Sequence, residues 1–282
     1  MGNSSIEWCT KTWNVITGCT HSGSPGCDHC WAASMVKRFP HLHGIEYGPD
    51  VGGDLNPAGI PVPFSEIRFH PSRLDEPLRW RKPQRVFCCS MGDLFHEYVE
   101  EEWVDKVIGV TRLTPQHSYM FLTKRPERMI SYFADNPGAQ MVRVNKEAQK
   151  MLKPKNFICP DAPSVWPRHN LMLGVSVESP DYLWRVDHLR QTPAALRFIS
   201  FEPLIADVGK VDLTGISWCI VGSESGPRRR PCNLGWIRSL RDQCVAANVP
   251  FFCKQANING KLVKMPVIDG KVWGEVPEAT DA

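Results

Sequence analysis

Three of the eleven cysteines, Cys19, Cys27 and Cys30, lie in one short segment with the spacing C-x7-C-x2-C. The segment is rich in Gly, Ser and Pro, so its backbone can wrap around an ion or a cluster. A C-x2-C pair can present two thiolates to one metal centre, and structural zinc takes four ligands, the fourth from His21 or His29. Three cysteines with an open coordination position also suit a catalytic [4Fe–4S] cluster. The spacing therefore predicts a metal or cluster site.

The other cysteines show no comparable spacing. The total is odd, and the N-terminus has neither the basic nor the apolar region of a signal peptide. A disulfide framework is therefore disfavoured, and a cytoplasmic location is expected. We expect Cys88, Cys89, Cys219 and Cys253 to pack as small hydrophobic residues, because each lies inside an apolar, strand-like run.

Charged residues follow almost every strand-like run, at the point where the run ends. They are Asp93, Lys124, Arg125, Glu178, Glu202, Glu224 and Lys254. One such residue alone usually caps a helix or is solvated. A charge after nearly every run predicts a polar site that excludes solvent. In the turn 222–226 the glycines permit close backbone approach, and Glu224 can accept hydrogen bonds from ribose hydroxyls or an amine.

Buried strands that alternate with helices predict the fold class. The strand-like runs cover 13–17, 85–91, 119–123, 171–177, 196–201, 216–221 and 249–253. Helical patterns cover 30–39, 101–112, a segment opened by Pro126, 179–191 and 234–247. This alternation predicts an α/β protein with a parallel sheet, a complete or partial (β/α) barrel of the TIM type. A doubly wound sheet is the alternative, but no run is followed by G-x-G-x-x-G or a P-loop.

The barrel is expected to be a single domain over residues 1–255, with insertions near 41–84 and 136–167, the second a polar loop. Residues 256–282 are expected to form a C-terminal hairpin around Asn259-Gly260 and an acidic tail.

The composition is 42% hydrophobic and 22% charged, which argues against disorder and a coiled coil. No segment reaches the roughly 18 apolar residues of a membrane span, so no membrane association is expected. The net charge of +3 is small, but basic residues concentrate in 68–85 and 228–230. Basic side chains interleaved with aromatic ones suit a phosphate backbone and stacked bases, although a solvated rim has the same composition.

Motifs spread over nearly the whole chain resemble those of a phage-associated protein family known by phage gene-product numbers. They include Pro25-Gly-Cys-Asp-His-Cys-Trp-Ala32, Ser90-Met-Gly-Asp-Leu-Phe-His96, Leu122-Thr-Lys-Arg-Pro-Glu-Arg128, Arg197-Phe-Ile-Ser-Phe-Glu-Pro-Leu204 and Gly222-Ser-Glu-Ser-Gly-Pro227. The three-cysteine loop and the barrel of that family are similar to those of radical S-adenosylmethionine (SAM) enzymes. The usual radical SAM spacing is C-x3-C-x2-C, whereas here seven residues separate the first two cysteines.

The resemblance implies an enzyme that cleaves SAM reductively. Three residues would ligate a [4Fe–4S] cluster: Cys19, Cys27 and Cys30. Four would hold SAM: Glu224 with Ser223, Glu202 and Glu178. Three catalytic residues would face the substrate or its phosphate: Asp93, Lys124 and Arg125. The basic segments and the phage context suggest a nucleic acid or nucleotide substrate, modified or repaired in the host cytoplasm. A host flavodoxin or ferredoxin would supply the electrons.

Two other functions are compatible with the same residues. One is a nucleic-acid-binding protein with a structural zinc or cluster and no turnover. The other is a hydrolase that cleaves phosphodiesters with divalent metal ions held by carboxylates. The carboxylates in question are Asp93, Glu178, Glu202 and Glu224.

Overall fold

The computed structural model describes residue 4 and residues 6–44, 63–134, 136–151 and 169–277. Its central element is a mostly parallel eight-stranded sheet that curls into half a barrel. The strands in chain order are β1 Lys11–Trp13, β2 Ile16–Thr17, β3 Arg68–Phe69, β4 Arg85–Cys88, β5 Ser118–Thr123, β6 Leu171–Ser176, β7 Leu196–Phe201, β8 Trp218–Gly222, β9 Phe251–Ile258, β10 Lys261–Lys264, β11 Val267–Ile268 and β12 Lys271–Val272. The sheet order is β1-β4-β5-β6-β7-β8-β9-β10, and only the β9–β10 pair is antiparallel.

Helices connect the strands of the sheet. They are α1 Trp31–Arg38, α2 Glu101–Leu113, α3 Pro126–Ala134, α4 Pro137–Met151, α5 Trp184–Gln191 and α6 Leu234–Ala246. The helices predicted near 30–39, 101–112, after Pro126 and near 234–247 are confirmed. The segment predicted over 179–191 begins as a 3₁₀ turn, Pro180–Tyr182, and continues as α5. None of the helices in the described ranges is long and apolar enough to cross a bilayer.

The central strands are apolar on both faces because helices cover one face and the inside of the curl is also filled. Every residue of β6 is buried. Leu173 packs in the core beneath the helices, whereas Met172 belongs to a second cluster on the inner face. Gly174 leaves room for the Phe198 ring, which would lie 2.5 Å from a β-carbon at that position. Strands buried on both faces read as continuous apolar runs, which is why the sequence predicts them well.

The inner face of the half-barrel is closed at one end by Trp8. This indole is 1% exposed and packs 4.6 Å from the Phe87 ring and 6.3 Å from the Trp218 ring, measured between centroids. Trp218 in turn contacts Phe198 and Phe252. The N-terminal segment therefore supplies core packing that a closed barrel would obtain from its missing strands.

The first predicted strand, 13–17, is wrong in its placement. The sheet strand β1 ends at Trp13, and β2 leaves the sheet to form a ribbon with β3. Asn14 causes the break, because its Oδ1 accepts hydrogen bonds from Ser90 Oγ and the Met91 N–H. The cysteine loop nevertheless starts at the carboxyl edge, because Gly18 bridges to Gly92 directly beyond β4.

The last predicted strand, 249–253, is too short. β9 extends to Ile258, so Lys254 lies within the strand, at a bulge opposite Val221 and Gly222. The hairpin predicted at Asn259-Gly260 is confirmed, with positive φ at both residues. Its second strand, β10, belongs to the main sheet, so the expected boundary after residue 255 falls inside β9.

The segment 136–167, predicted as a polar loop, contains helix α4 in its first half. The buried stripe of α4 includes Gln140 and Glu147 beside Val144 and Ala148, so its buried face is partly polar. α4 packs closely on α2 at Gly109, where a β-carbon would lie 3.2 Å from the Ala148 nitrogen. Residues 152–168 lie outside the described residues. So do 45–62 of the other predicted insertion and 278–282 of the predicted tail; the described part of that insertion holds β3 and short 3₁₀ turns.

The four cysteines expected to be core residues are buried. Cys88 is 1% exposed, Cys89 4%, and Cys219 and Cys253 are fully enclosed. All ten described cysteines carry free thiols.

Candidate active site

The cysteine loop, residues 18–31, begins at a glycine that no other residue could replace without strain. Gly18 has φ +92°, and a β-carbon there would lie 2.0 Å from the Glu66 carbonyl oxygen. Its N–H donates to the Met91 carbonyl, and the Cys19 N–H donates to the Phe64 carbonyl. These contacts fix the position at which the loop leaves the carboxyl edge of the sheet, directly before Cys19.

The middle of the loop is a 3₁₀ turn, Pro25–Cys27, capped by Ser24. The Cys30 N–H donates to the Cys27 carbonyl, so both cysteines of the C-x2-C pair lie on consecutive turns. Gly26 allows the turn to pack on Glu178, whose Cγ and Oε1 would each lie 2.7 Å from a β-carbon at residue 26. The turn is therefore held against the carboxyl end of β6.

The three thiols have different surroundings. Burial raises the pKa of Cys19 to about 12; Asp93 adds to the rise, and Arg125 opposes it. Cys19 Sγ lies 3.5 Å from Arg125 Nη1, and Cys27 Sγ lies 3.3 Å from Ser22 Oγ. Cys30 packs beside the small apolar cluster at the start of α1. Each cysteine is only partly buried.

The donor set of the loop fits a [4Fe–4S] cluster in its chemistry. Three thiols on one loop are the soft ligands that iron–sulfur clusters take, and Cys27 is close enough to Cys19 to affect its pKa. Throughout the described ranges, no three side chains of His, Cys, Asp or Glu converge as a preassembled metal site. The loop would therefore have to draw the thiols together as a cluster is bound.

Asp93 lies beneath the loop and supports it. Its carboxylate accepts hydrogen bonds from Thr123 Oγ1 at 2.8 and 2.9 Å, from the Phe95 N–H at 3.0 Å and from Arg125 Nη1 at 3.3 Å. The residue is 5% exposed. With its oxygens bonded to these donors, Asp93 orients Arg125 and does not face open space where a substrate could bind.

Lys124, Glu178 and Arg185 form a buried ionic cluster behind the loop. Glu178 is fully enclosed, with Oε1 2.8 Å from Lys124 Nζ and Oε2 3.0 Å from Arg185 Nη1. Burial raises the pKa of Glu178, but Lys124 and Arg185 outweigh it and leave the pKa lowered. Burial lowers the pKa of Lys124, and Glu178 turns the shift upward. Both groups are therefore charged at neutral pH.

A cavity of about 150 Å³ adjoins the loop and brings together three of the four residues predicted to hold SAM. Its lining includes His29, Trp31, Glu202, Ser223, Glu224 and Lys254. Glu202 Oε1 pairs with Lys254 Nζ at 3.0 Å across it. The Glu202 side chain packs directly on the backbone of Gly222. Any larger residue there would clash, because a β-carbon at residue 222 would lie 2.4 Å from Glu202 Oε1. The fourth predicted residue, Glu178, is not among the lining residues.

Glu224 ties the cysteine loop to the turn after β8. Its carboxylate accepts hydrogen bonds from the Arg230 N–H at 2.7 Å and from the Arg230 guanidinium, and it lies 3.1 Å from His29 Nδ1. Burial raises its pKa, but the hydrogen bonds from Arg230 and His29 bring it down to about 2. Arg230 also donates to the Pro25 carbonyl. Glu224 is thus bonded within the protein rather than free for a ribose.

Sequence reasoning missed Arg185 altogether and did not predict the contacts of three other site residues. His29 was considered as a zinc ligand, Trp31 appeared in a motif without a role, and Arg230 was counted with the basic segment 228–230. His29 and Trp31 flank Cys30, and this position beside a thiol was the sequence signal that could have placed them in the site. Arg185 had no signal, because its partner Glu178 lies on the preceding strand end and only the fold brings them together.

The basic residues of 68–85 divide into exposed and partly buried ones. Arg73 donates to the carbonyls of Asn14 and Leu42, and Arg85 donates to the Trp8 carbonyl at 2.6 Å. These arginines stabilise the connections below the sheet. Arg73 and Arg85 are therefore engaged within the protein, and the nucleic-acid patch stays a prediction that would use the exposed Arg79, Arg81 and Lys82.

A larger cavity, of about 990 Å³, lies elsewhere. It opens beside the segment 209–216 and the end of α6, where the chain approaches the amino end of β8. No cysteine and no predicted site residue lines it. The smaller cavity is the one that adjoins the cysteine loop and contains the Glu202–Lys254 ion pair.

The described residues thus define an α/β half-barrel protein with a thiol loop, an ion-paired edge and a small cavity at the carboxyl ends of its strands. The chain belongs to DUF5131, a family of proteins of unknown function, whose sequence profile matches residues 3–277. No curated protein and no solved structure matches it. The resemblance to phage-associated proteins and to radical SAM enzymes stays a prediction.

Proposed function

We propose that this protein is a radical SAM-type iron–sulfur enzyme that acts on a nucleic acid or nucleotide. The observation that carries the proposal is the position of the cysteine loop. Three free thiols leave the carboxyl edge of a parallel half-barrel on one loop, beside a cavity lined by polar and aromatic groups. In (β/α) barrels this edge is where catalytic groups gather.

Cys19, Cys27 and Cys30 would hold the cluster, and the adjoining cavity would hold part of SAM. When bound and reduced, such a cluster would supply the electron for cleavage of a carbon–sulfur bond of SAM. In the cavity the Glu202–Lys254 pair offers an acceptor and a donor, which suits ribose hydroxyls. Trp31, 48% exposed, offers an aromatic face for adenine. Glu224 and Glu178 would act through the loop, because each is bonded to it or packed on it.

The substrate proposal rests on exposed aromatic rings around the loop. Trp31 follows the cysteines, Tyr98 lies in the connection after β4, and Trp184 begins α5 after β6. Tyr98 is 68% exposed and Trp184 38%. Exposed aromatic faces stack nucleobases at about 1–3 kcal/mol per base. A single-stranded oligonucleotide should therefore bind, with an affinity that falls as the salt concentration rises. If no oligonucleotide binds, the substrate half of the proposal is overturned.

The phosphodiester hydrolase is disfavoured by the pairing of its carboxylates. Asp93 is bonded to Arg125, and Glu178 to Lys124 and Arg185. Glu202 and Glu224 likewise have basic partners. A two-metal site would need these carboxylates to leave their cations and face one another.

The test is formation of 5′-deoxyadenosine. The protein is purified without oxygen, reconstituted with iron and sulfide, and given SAM and dithionite, which replaces a flavodoxin or ferredoxin. We expect 5′-deoxyadenosine from the wild type and from Cys9→Ala, a buried cysteine outside the loop. We expect none from the variant in which Cys19, Cys27 and Cys30 are all Ala. A wild type that binds only zinc and forms no product would overturn the proposal in favour of a structural zinc module.

A further inference from the structure

Arg125 is the basic residue most closely engaged with the cysteine loop. Its Nη1 donates to Cys19 Sγ at 3.5 Å and to Asp93 Oδ2 at 3.3 Å. Its Nη2 donates to the carbonyl and hydroxyl oxygens of Thr20 at 3.2 and 3.1 Å. Its Nε donates to Glu97 Oε2 at 2.7 Å. One guanidinium thus holds two consecutive residues of the loop.

These contacts leave little of Arg125 for a substrate. Its side chain is 13% exposed, and each of its three nitrogens already has a protein acceptor. Asp93 is buried and fixed by Thr123, so the guanidinium is anchored from below. A rigid fork of donors anchored at one side is suited to hold a loop on the other.

The neighbouring Lys124 serves another part of the loop. Its ammonium pairs with Glu178, against which Gly26 packs, and its pKa is sensitive to Cys27. Consecutive residues at the end of β5 therefore act on different cysteines. Of Lys124 and Arg125, only Arg125 donates a hydrogen bond directly to a thiol sulfur.

We propose that Arg125 is a positioning residue that fixes Cys19 at the edge of the sheet and sets the reduction potential of the cluster bound there. The second half rests on the proposed function. A cationic N–H donor on a ligand sulfur stabilises the more negative, reduced cluster, and hydrogen bonds to sulfur are among the levers on cluster potentials. Arg125 therefore acts through Cys19 and is distinct from a residue that touches the substrate.

The positioning half is tested on the metal-free protein by hydrogen exchange of the loop amides. In Arg125→Gln the Cys19 and Thr20 side of the loop loses its anchor, and we expect at least tenfold faster exchange there. Arg125→Lys keeps the charge but not the fork, so we expect an intermediate rate. Arg81→Gln, which removes an exposed arginine before β4, is the matched control and should leave the loop unchanged. Equal exchange in wild type and Arg125→Gln would overturn this half.

The tuning half is tested by a redox titration of the reconstituted proteins, followed by electron paramagnetic resonance. We expect the ratio of reduced to oxidised cluster in Arg125→Gln to fall about tenfold at a fixed potential, which is about 59 mV for a one-electron couple. Arg81→Gln should titrate as the wild type does.

The outcomes separate the two proposals. A cluster with an unchanged midpoint in Arg125→Gln would overturn the tuning role while the radical SAM proposal stands. A wild type that takes up no cluster would overturn the proposed function and the tuning role together. The exchange data would still decide whether Arg125 positions the loop. If Arg125→Gln does not fold, the hydrogen-exchange and redox measurements are both made on Arg125→Lys instead.

Discussion

Glu178 shows how the acidic residues of the carboxyl edge are used. Its carboxylate is shared between Lys124 and Arg185, and its methylene group fills the space that Gly26 leaves open. A buried carboxylate of this kind is costly unless paired, and removing one partner leaves uncompensated charge. The residue therefore stabilises the site from behind the cysteine loop.

Glu178→Gln should destabilise the protein by about 3 kcal/mol, because the buried Arg185 and the partly buried Lys124 lose their counter-charge. Urea unfolding at pH 7 measures this difference. Glu127→Gln, an exposed residue of α3, is the control and should change stability by less than about 0.5 kcal/mol. Because the pKa of Glu178 is lowered in the folded state, its stabilisation is present above the unfolded pKa of about 4.3 and is lost as the pH falls below it. A Glu178→Gln penalty that persisted unchanged in acid would contradict this assignment.

At the scale of elements, the 3₁₀ turn Pro25–Cys27 can pack closely against the end of β6 only because residue 26 is a glycine. The atoms that would meet a β-carbon at Gly26 belong to Glu178, which its ion pairs hold in place. The turn, and with it Cys27, must therefore move if residue 26 gains a side chain.

Gly26→Ala should cost about 1–3 kcal/mol through overpacking and should lower the iron bound per protein after reconstitution. Unfolding in urea and iron analysis give the two readouts. The control is Gly138→Ala near the start of α4, where a β-carbon meets only Asn136 Oδ1 at 3.8 Å. That variant should be neutral or slightly stabilising, since Ala favours a helix. Wild-type stability and iron content in Gly26→Ala would show that the turn is not held against Glu178.

The β2–β3 ribbon encloses two histidines on either side of Thr17. Thr17 Oγ1 lies 2.8 Å from His43 Nδ1 and 2.7 Å from His70 Nε2. Burial lowers the pKa of His43 to about 4, with Arg68 adding to the effect. Burial lowers the pKa of His70 to about 3, with Arg73 and Arg68 adding to the effect. Both rings are therefore neutral in the folded protein at neutral pH.

The free energy of unfolding should fall as the pH drops below 6.5, because the unfolded chain then binds protons that the folded chain does not. Each histidine adds a slope of up to about 1.4 kcal/mol per pH unit, down to about pH 4 for His43 and about pH 3 for His70. His70→Gln should remove one such slope, and His41→Gln, at an exposed position, should not. Urea midpoints between pH 7 and 4 measure this; parallel curves for wild type and His70→Gln would refute it.

The elements that the sequence predicts well are those whose periodicity is set by burial. β6 is buried throughout and β7 is buried everywhere except at Arg197, and α2 buries an apolar stripe that includes Val104, Val107 and Ile108. α4 was missed because Gln140 and Glu147 lie on its buried face. The end of β1 was misplaced because the break depends on hydrogen bonds that Asn14 Oδ1 accepts from Ser90 and Met91, which no local pattern encodes.

At the scale of the whole molecule, the half-barrel is completed by its N-terminal segment. Trp8 has its ring between Phe87 of β4 and Trp218 of β8, so it links two strands that lie four places apart in the sheet. The inner face depends on this plug, because an open sheet has no further strands to cover it.

Trp8→Ala should destabilise the protein by about 3–5 kcal/mol, the usual cost of removing a large buried aromatic ring. Tyr98→Ala, at 68% exposure, is the control and should stay within about 0.5 kcal/mol of the wild type. Thermal or urea unfolding distinguishes the two. A small effect of Trp8→Ala would mean that the segment does not close the inner face.

The site was predictable as a location and much less so as a set of roles. The order of strands and charges in the sequence was enough to place Cys19, Lys124 and Glu202 at one edge. The hydrogen-bond partners of these groups could not be predicted, because residues such as Glu224 and His29 are 195 positions apart in the chain. Pairing of that range depends on the curl of the sheet, which residue types alone do not specify.

The bridge from His29 to Glu224 joins the cysteine loop to the wall of the cavity. If two ligands each stabilise this bridge, each raises the affinity of the protein for the other. By thermodynamic linkage the two increases in affinity are equal. A small molecule in the cavity would tighten the hold on iron by the same factor by which iron tightens the hold on the small molecule. If the loop binds iron as proposed, its apparent affinity for iron would change with the concentration of the second ligand.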